Sequence, residues 1–148
     1  MDRRTKRGIL ILLLVSAQPM LGQSIFGTWR TIDDRTGQSK ALVEIYQKED
    51  RLYGRISKIF TAGMEDARCT ECHGDLKNKP FLGMKIISGL KKTSNLRWEG
   101  DTLFDPEQRR YFRCRLWLDP DEPDELKVRG YWMILHRTQT WKRVTQPM

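Results

Sequence analysis

The chain has 148 residues, with 27 Lys or Arg against 19 Asp or Glu, for a formal charge of +8 at pH 7. That length suits one ordinary domain, able to bury about two thirds of its unfolded surface without help from disulfides.

Arg3, Arg4, Lys6 and Arg7 precede the apolar run Ile9 to Val15, which is followed by Ser16, Ala17 and, further on, Gly22. A basic start, a short apolar stretch and small residues behind it form the layout of a secretory signal peptide. The run falls far short of the ~20 residues that cross a bilayer as a helix. The expected division is a signal peptide over residues 1–22 and one domain over residues 23–148, in a periplasmic or secreted bacterial protein. Cleavage removes four basic side chains and one acidic one and lowers the charge from +8 to +5. Export argues against nucleic acid as the partner of this basic surface. Solubility, or weak electrostatic contact with anionic envelope surfaces, accounts for it instead.

The exported part reads as strands, because its apolar residues recur with period two. Gly27-Thr28-Trp29-Arg30 opens the first strand. Ala41, Val43 and Ile45 alternate with Leu42, Glu44 and Tyr46, and Leu52, Gly54 and Ile56 alternate with Tyr53, Arg55 and Ser57, with Lys48-Glu49-Asp50 as the turn between them. Glu44, alone among apolar neighbours, is expected to pair with Arg55 across the hairpin. After a long connection from Thr61 to Pro80 come a strand at Leu82 to Ser88, a turn at Lys92 to Asn95, and Leu96-Arg97-Trp98. Gly100-Asp101 reads as a tight reversal and Asp105-Pro106-Glu107 as the opening of another. Further strands are predicted near Tyr111 to Leu118, Leu126 to Ile134 and Arg137 to Val144. The acidic segment Asp119 to Glu125 lacks the spacing of a calcium loop and reads as a solvated turn.

Eight or nine short antiparallel strands joined mostly by hairpins predict an all-β, up-and-down barrel in preference to an open sandwich. Both ends of the exported chain carry aromatic and basic residues suited to a shared closed end, with Trp29 filling it and Arg143 covering it. Alternation then divides the last strands into faces: Arg137, Gln139, Trp141 and Arg143 share one, and Arg129, Tyr131 and Met133 share one on the strand before. Arg129, Tyr131, Gln139 and Trp141 are the expected ligand-binding residues, a mixed polar and aromatic set suited to an amphipathic or anionic molecule.

Cys69, Cys72 and Cys114 are an odd number for an oxidising compartment. Cys114 alternates with Phe112 and Leu116 and reads as a buried thiol. Cys69 and Cys72 are expected to form a local disulfide that pins the long connection. The string Cys69-Thr70-Glu71-Cys72-His73 also fits covalent haem attachment, with His136, Met64, Met84 or Met133 as second ligand. A zinc site lacks a fourth ligand at familiar spacing, so no metal is expected. No catalytic constellation stands out: no Gly-x-Ser-x-Gly elbow occurs, and His73 and His136 lie far apart in sequence.

Several stretches together resemble a known family: Gly27 to Asp34, Val43 to Tyr46, Leu52 to Ile56, the Cys69/Cys72 pair followed by Lys79 to Met84, Lys127 to Tyr131, and Arg137 to Trp141. They are similar to the domain of unknown function 2147. The resemblance covers essentially the whole exported chain. It implies a calycin-like barrel, related in shape to lipocalins, in small exported bacterial proteins, and it implies no reaction. His73 stands where that pattern commonly has Lys, and His136 where it commonly has Gly.

Two functions remain open from the residues. The first is a monomeric exported barrel, without cofactor or enzymatic activity, that binds a small amphipathic or hydrophobic ligand non-covalently. The second is a structural or interaction module of the envelope whose barrel is filled by its own side chains, with a haem-bearing redox protein as a further alternative. A cavity of several hundred Å³ would separate the first from the second.

Overall fold

A computed structural model of the chain describes residues 23–145, so the expected signal peptide lies outside the described residues. Eight strands follow one another: β1 (Gly27–Ile32), β2 (Ser39–Lys48), β3 (Arg51–Ile59), β4 (Lys85–Ser94), β5 (Arg97–Asp105), β6 (Arg110–Asp119), β7 (Glu122–Trp132) and β8 (Leu135–Arg143). Each pairs antiparallel with the next and β8 returns to β1, which makes a closed up-and-down barrel and excludes the open sandwich. Closure leaves no unpaired sheet edge to attract other chains.

Side-chain alternation follows what a barrel requires: on most strands the buried apolar residues share one face and polar residues the other. On β6, Cys114, Leu116 and Leu118 are buried while Arg113, Arg115 and Trp117 are not. Outside, cross-strand ion pairs decorate the wall, among them Arg55 with Glu44 at 2.7 Å and Arg115 with Glu99 at 2.7 Å.

Two sequence expectations need correction. The turn expected over Lys92 to Asn95 is shorter and later, at Asn95-Leu96: β4 continues to Ser94, with Lys91, Lys92 and Ser94 paired to Glu99, Trp98 and Arg97. Ladder hydrogen bonds hold these residues while their side chains remain in water. Gly100-Asp101 is not a reversal either, because the register of β5 against β6 shifts between Gly100 and Leu103, a bulge inside a continuous strand. A Cβ at Gly100 would fall 2.7 Å from Cδ2 of Leu90, a fully buried side chain, so the glycine serves core packing.

The seam between β1 and β8 is the shortest in the barrel. Trp29 pairs with Arg143 and Arg30 with Lys142, and the Val144 amide donates to the Thr28 carbonyl at 2.9 Å. Side chains reinforce it. The Arg143 guanidinium lies 4.2 Å from the centre of the fully buried Trp29 ring. It also donates to the carbonyls of Ser24 at 2.7 Å and Pro123 at 2.9 Å, and its Nε lies 3.2 Å from Asp124. Trp29 satisfies its own indole N–H with the Ile25 carbonyl at 2.9 Å. One cation thus joins the segment before β1, the start of β7 and the end of β8 over a single aromatic ring. Such a stack contributes about 0.5–2 kcal/mol by itself. Above Trp29 the interior is packed with Ile45, Leu52, Leu90, Trp98, Leu116 and Leu126.

On the outer face of the neighbouring seam, Glu125 lies opposite Lys142 and beside Lys127, accepting from both ammonium groups. Hydrogen bonds from Lys127 and then Lys142 hold its carboxyl at about 2, below its ordinary 4.5.

Truncating Trp29 to Ala is expected to cost about 3–5 kcal/mol in a urea melt, since it empties the closed end and frees Arg143. For Glu125, a depressed folded pKa means its stabilisation is present above pH 4.5 and is lost as pH falls through about 2. Glu125→Gln is therefore expected to flatten the acid limb of stability against pH in that window, followed by thermal melts.

Candidate functional site: a cavity at the open end

The antiparallel order places four connections at the end opposite Trp29: β1–β2, β3–β4, β5–β6 and β7–β8. Here the interior is not filled. A cavity of about 1300 Å³ opens between the β1–β2, β3–β4 and β5–β6 connections, walled lower down by Val43, Ile56, Ile86, Leu103, Val128 and Trp141. A lining of branched aliphatic side chains with one indole favours an apolar guest by removing its surface from water. Neither Trp29 nor Trp98, Leu116 or Leu126 reaches it, so packed residues below form a floor.

Gln139 provides the polar contact in the wall. Its Oε1 accepts the Trp141 indole N–H at 3.2 Å, and among the described residues its amide NH2 has no protein partner. Two donors thus remain available at the boundary between apolar wall and mouth.

Charged side chains tie the mouth together. Lys40 bridges Asp33, at 3.4 Å, and Glu107. Arg109 pairs with Glu71, and Arg137 with Asp34 at 2.6 Å. The Asp33 carboxylate is held below its usual range first by the backbone N–H groups of Arg35 and Thr36. These contacts link the β1–β2, β3–β4 and β5–β6 connections across the opening. Arg68 also lines the mouth, hydrogen-bonded to the Asn78 carbonyl at 3.0 Å, with no carboxylate partner among the described residues.

The long connection, residues 60–84, is ordered by its own hydrogen bonds and by a disulfide between Cys69 and Cys72. Cys69 exchanges backbone bonds with Lys79 and Asn78, Arg68 bridges to Pro80, and one 3-10 turn spans Gly74–Leu76. Both sulfurs are buried against the main core. Haem attachment does not fit these residues: the two cysteines are bonded to each other and His73 is exposed. Among the described residues no group of three or more His, Cys, Asp or Glu side chains is placed to hold a metal ion, and no helix is long and apolar enough to cross a membrane.

The sequence-derived ligand residues separate into two pairs. Gln139 and Trp141 line the cavity. Arg129 and Tyr131 do not, because Leu126 and Val128 take the inner face of β7 and turn them outward. Arg129 donates to Thr138 Oγ1 at 2.7 Å and lies 5.2 Å over Trp117, and Tyr131 carries Arg113 at 4.7 Å above its ring. Both have full outer-surface partnerships. Val43, Ile56, Leu103 and Arg68 were not anticipated as lining. Their signal was present only as ordinary strand alternation, shared with every core position.

Cys114 is the one free cysteine among the described residues and is buried in the core. Burial pushes its thiol up to about 12, with Asp101 and Glu99 adding to the shift. A thiol so disfavoured as thiolate is inert. Ellman's reagent is expected to detect no thiol in the native protein at pH 8 and one after denaturation. Rapid labelling of native protein would contradict the burial.

The uncharacterized family conserved in bacteria called DUF2147 matches residues 27–143. Among solved structures the barrel is similar to protein HP1028 from the human pathogen Helicobacter pylori, described as belonging to the lipocalin family. The TM-score is 0.71 at 16% identity, over 84% of this chain and 85% of that one. At that identity the likeness shows the fold. The search of curated proteins gives no match. With a family match spanning β1 to the last residue of β8, the chain belongs to DUF2147 and has a lipocalin-like barrel.

Proposed function

We propose that this protein is an extracytoplasmic carrier that holds one small amphipathic molecule non-covalently in its barrel and does no chemistry on it. The observation that carries this reading is the cavity of about 1300 Å³ above a packed floor. A module stabilised by its own side chains would fill that half of the barrel, as Trp29, Trp98 and the leucines fill the other. The wall suits an acyl or similar apolar body, Gln139 supplies two hydrogen-bond donors part-way up, and Arg68 offers a cation at the mouth for an anionic head. The disulfide and the basic start of the chain support an oxidising compartment reached by export. The protein acts as a monomer in this reading, since barrel closure leaves no edge strand to extend.

Native mass spectrometry of protein recovered from its own host's periplasm tests the proposal. The expected spectrum shows a copurifying mass of a few hundred daltons, on the scale of ligands that such cavities hold. Uniformly empty protein that also fails to bind a fluorescent fatty acid would contradict it. Val128→Trp, which places an indole in the cavity wall, is expected to weaken fatty-acid binding roughly tenfold or more while far-UV circular dichroism stays unchanged.

A further inference from the structure

The β7–β8 hairpin ends in four consecutive large apolar residues, Trp132-Met133-Ile134-Leu135. Trp132 and Leu135 pair across the ladder and are more than half exposed, while the two turn residues Met133 and Ile134 are 87% and 96% exposed. Folding does not call for them. A two-residue hairpin turn favours Asn, Asp or Gly, and Met133 adopts φ 55°, a left-handed conformation unfavourable for a side chain of its kind. The two turn residues therefore cost both solvation and backbone energy, and their near-complete exposure leaves little packing to offset it.

Its surroundings are basic. Arg110 lies 5.4 Å over the Trp132 ring and Arg113 lies 4.7 Å over Tyr131, and neither has a carboxylate within ion-pair distance among the described residues. Asp105, opposite Arg110 in the ladder, is occupied by the backbone N–H groups of Glu107 and Gln108. The nearby Arg109 and Arg137 are already paired with Glu71 and Asp34. What protrudes is an apolar wedge with an indole at its base and two uncommitted guanidinium groups behind it.

We propose that this hairpin tip docks the open end of the barrel onto an anionic lipid bilayer. The shape excludes a second copy as the better occupant: four residues on a convex tip cannot supply the ~800 Å² per partner of a standard interface. A membrane asks for what is present. Apolar side chains enter by about 5–10 Å, an indole sits at the headgroup level, and Arg meets lipid phosphate. The tip also adjoins the cavity. A cleft of about 230 Å³ is lined by Trp132 and Leu135 at its outer side and shares Leu103, Val128 and Gln139 with the main cavity. A docked barrel thus turns this cleft toward the bilayer as a route for an acyl chain. The route rests on the carrier reading given above; the docking does not.

Co-sedimentation with vesicles tests it, using the chain from Gln23 onward, which contains the whole described barrel and omits the apolar run at the N-terminus. The protein is expected to partition onto phosphatidylglycerol-containing vesicles and only weakly onto pure phosphatidylcholine. Met133→Asn with Ile134→Gly, a pair that suits the turn and keeps the fold, is expected to reduce that partition about tenfold or more. Arg110→Gln with Arg113→Gln is expected to weaken it at low salt and to matter less at high salt. Equal partition of the turn variant and the parent would overturn the proposal, as would equal binding to both vesicle types. Concentration-dependent dimerisation that the turn variant abolishes, without vesicle binding, would assign the tip to a second copy and likewise overturn it. A soluble fluorescent fatty acid, added without vesicles, keeps the two readings apart. The turn variant is expected to bind it normally, and its loss from every form counts against the carrier reading alone.

Discussion

Closure of the sheet is the constraint on which every other feature rests, and it depends on a short seam. Strands β1 and β8 share only two residue pairs, so backbone hydrogen bonding alone gives the ring little margin. Arg143 compensates by bonding to two other parts of the chain while lying over Trp29. Its side chain remains only slightly exposed, and so these charge-assisted bonds are weakened little by solvent. The cost of burying a guanidinium is met by carbonyl acceptors and a carboxylate, and the large indole beneath it removes apolar surface from water. A ring so sealed has an inside, and only then does inward-facing residue identity acquire functional meaning.

The inside is divided along the barrel axis. At the sealed end, indoles and leucines pack into the buried core, and glycines at 54 and 100 admit Ile87, which a Cβ would crowd, and Leu90, with which a Cβ would collide. Toward the other end the inner positions are smaller or branched, Ala41, Val43, Ile56 and Val128, and they leave space between the walls. Ion pairs bridging three connections keep the opening from collapsing into that space, and the Cys69–Cys72 bond confines the longest connection at the same rim. Stability and vacancy are thus assigned to opposite ends of one sheet. Such a division lets a protein of this size keep a hollow without losing its fold, since Val43, Ile56, Val128 and Trp141 face the hollow and at the same time pack into the core cluster that contains Trp29.

Much of this was legible in the residues. Period-two alternation and turn residues indicated eight or nine strands where eight form, with the end of β4 and the middle of β5 misread, and the aromatic and basic signatures at the two ends indicated which strands meet. The Cys-x-x-Cys spacing, in a chain read as exported, indicated a local bond. Three things were not legible, each for a physical reason. The inner face of β7 was ambiguous because Gly130 and Trp132 share parity with Leu126 and Val128, while the opposite face carries Tyr131, so neither face is uniformly apolar. Gly100 looks like turn chemistry because a glycine required by a close approach from another strand is indistinguishable, in one sequence, from a glycine required by its own backbone. The extension of β4 through Lys91 to Ser94 was hidden because an exposed ladder places no demand on side-chain polarity.

The barrel is hollow at one end and solid at the other, and the proposed carrier role requires that the hollow end receive a ligand. Methyl-resolved NMR, with a short-chain fatty acid added below its critical micelle concentration, tests it most directly. Saturable shifts are expected at the methyl groups of Val43, Ile56, Ile86, Leu103 and Val128, with Leu52, Leu116 and Leu126 unmoved. Shifts spread over the packed end, or no saturable shifts in the upper wall, would contradict it.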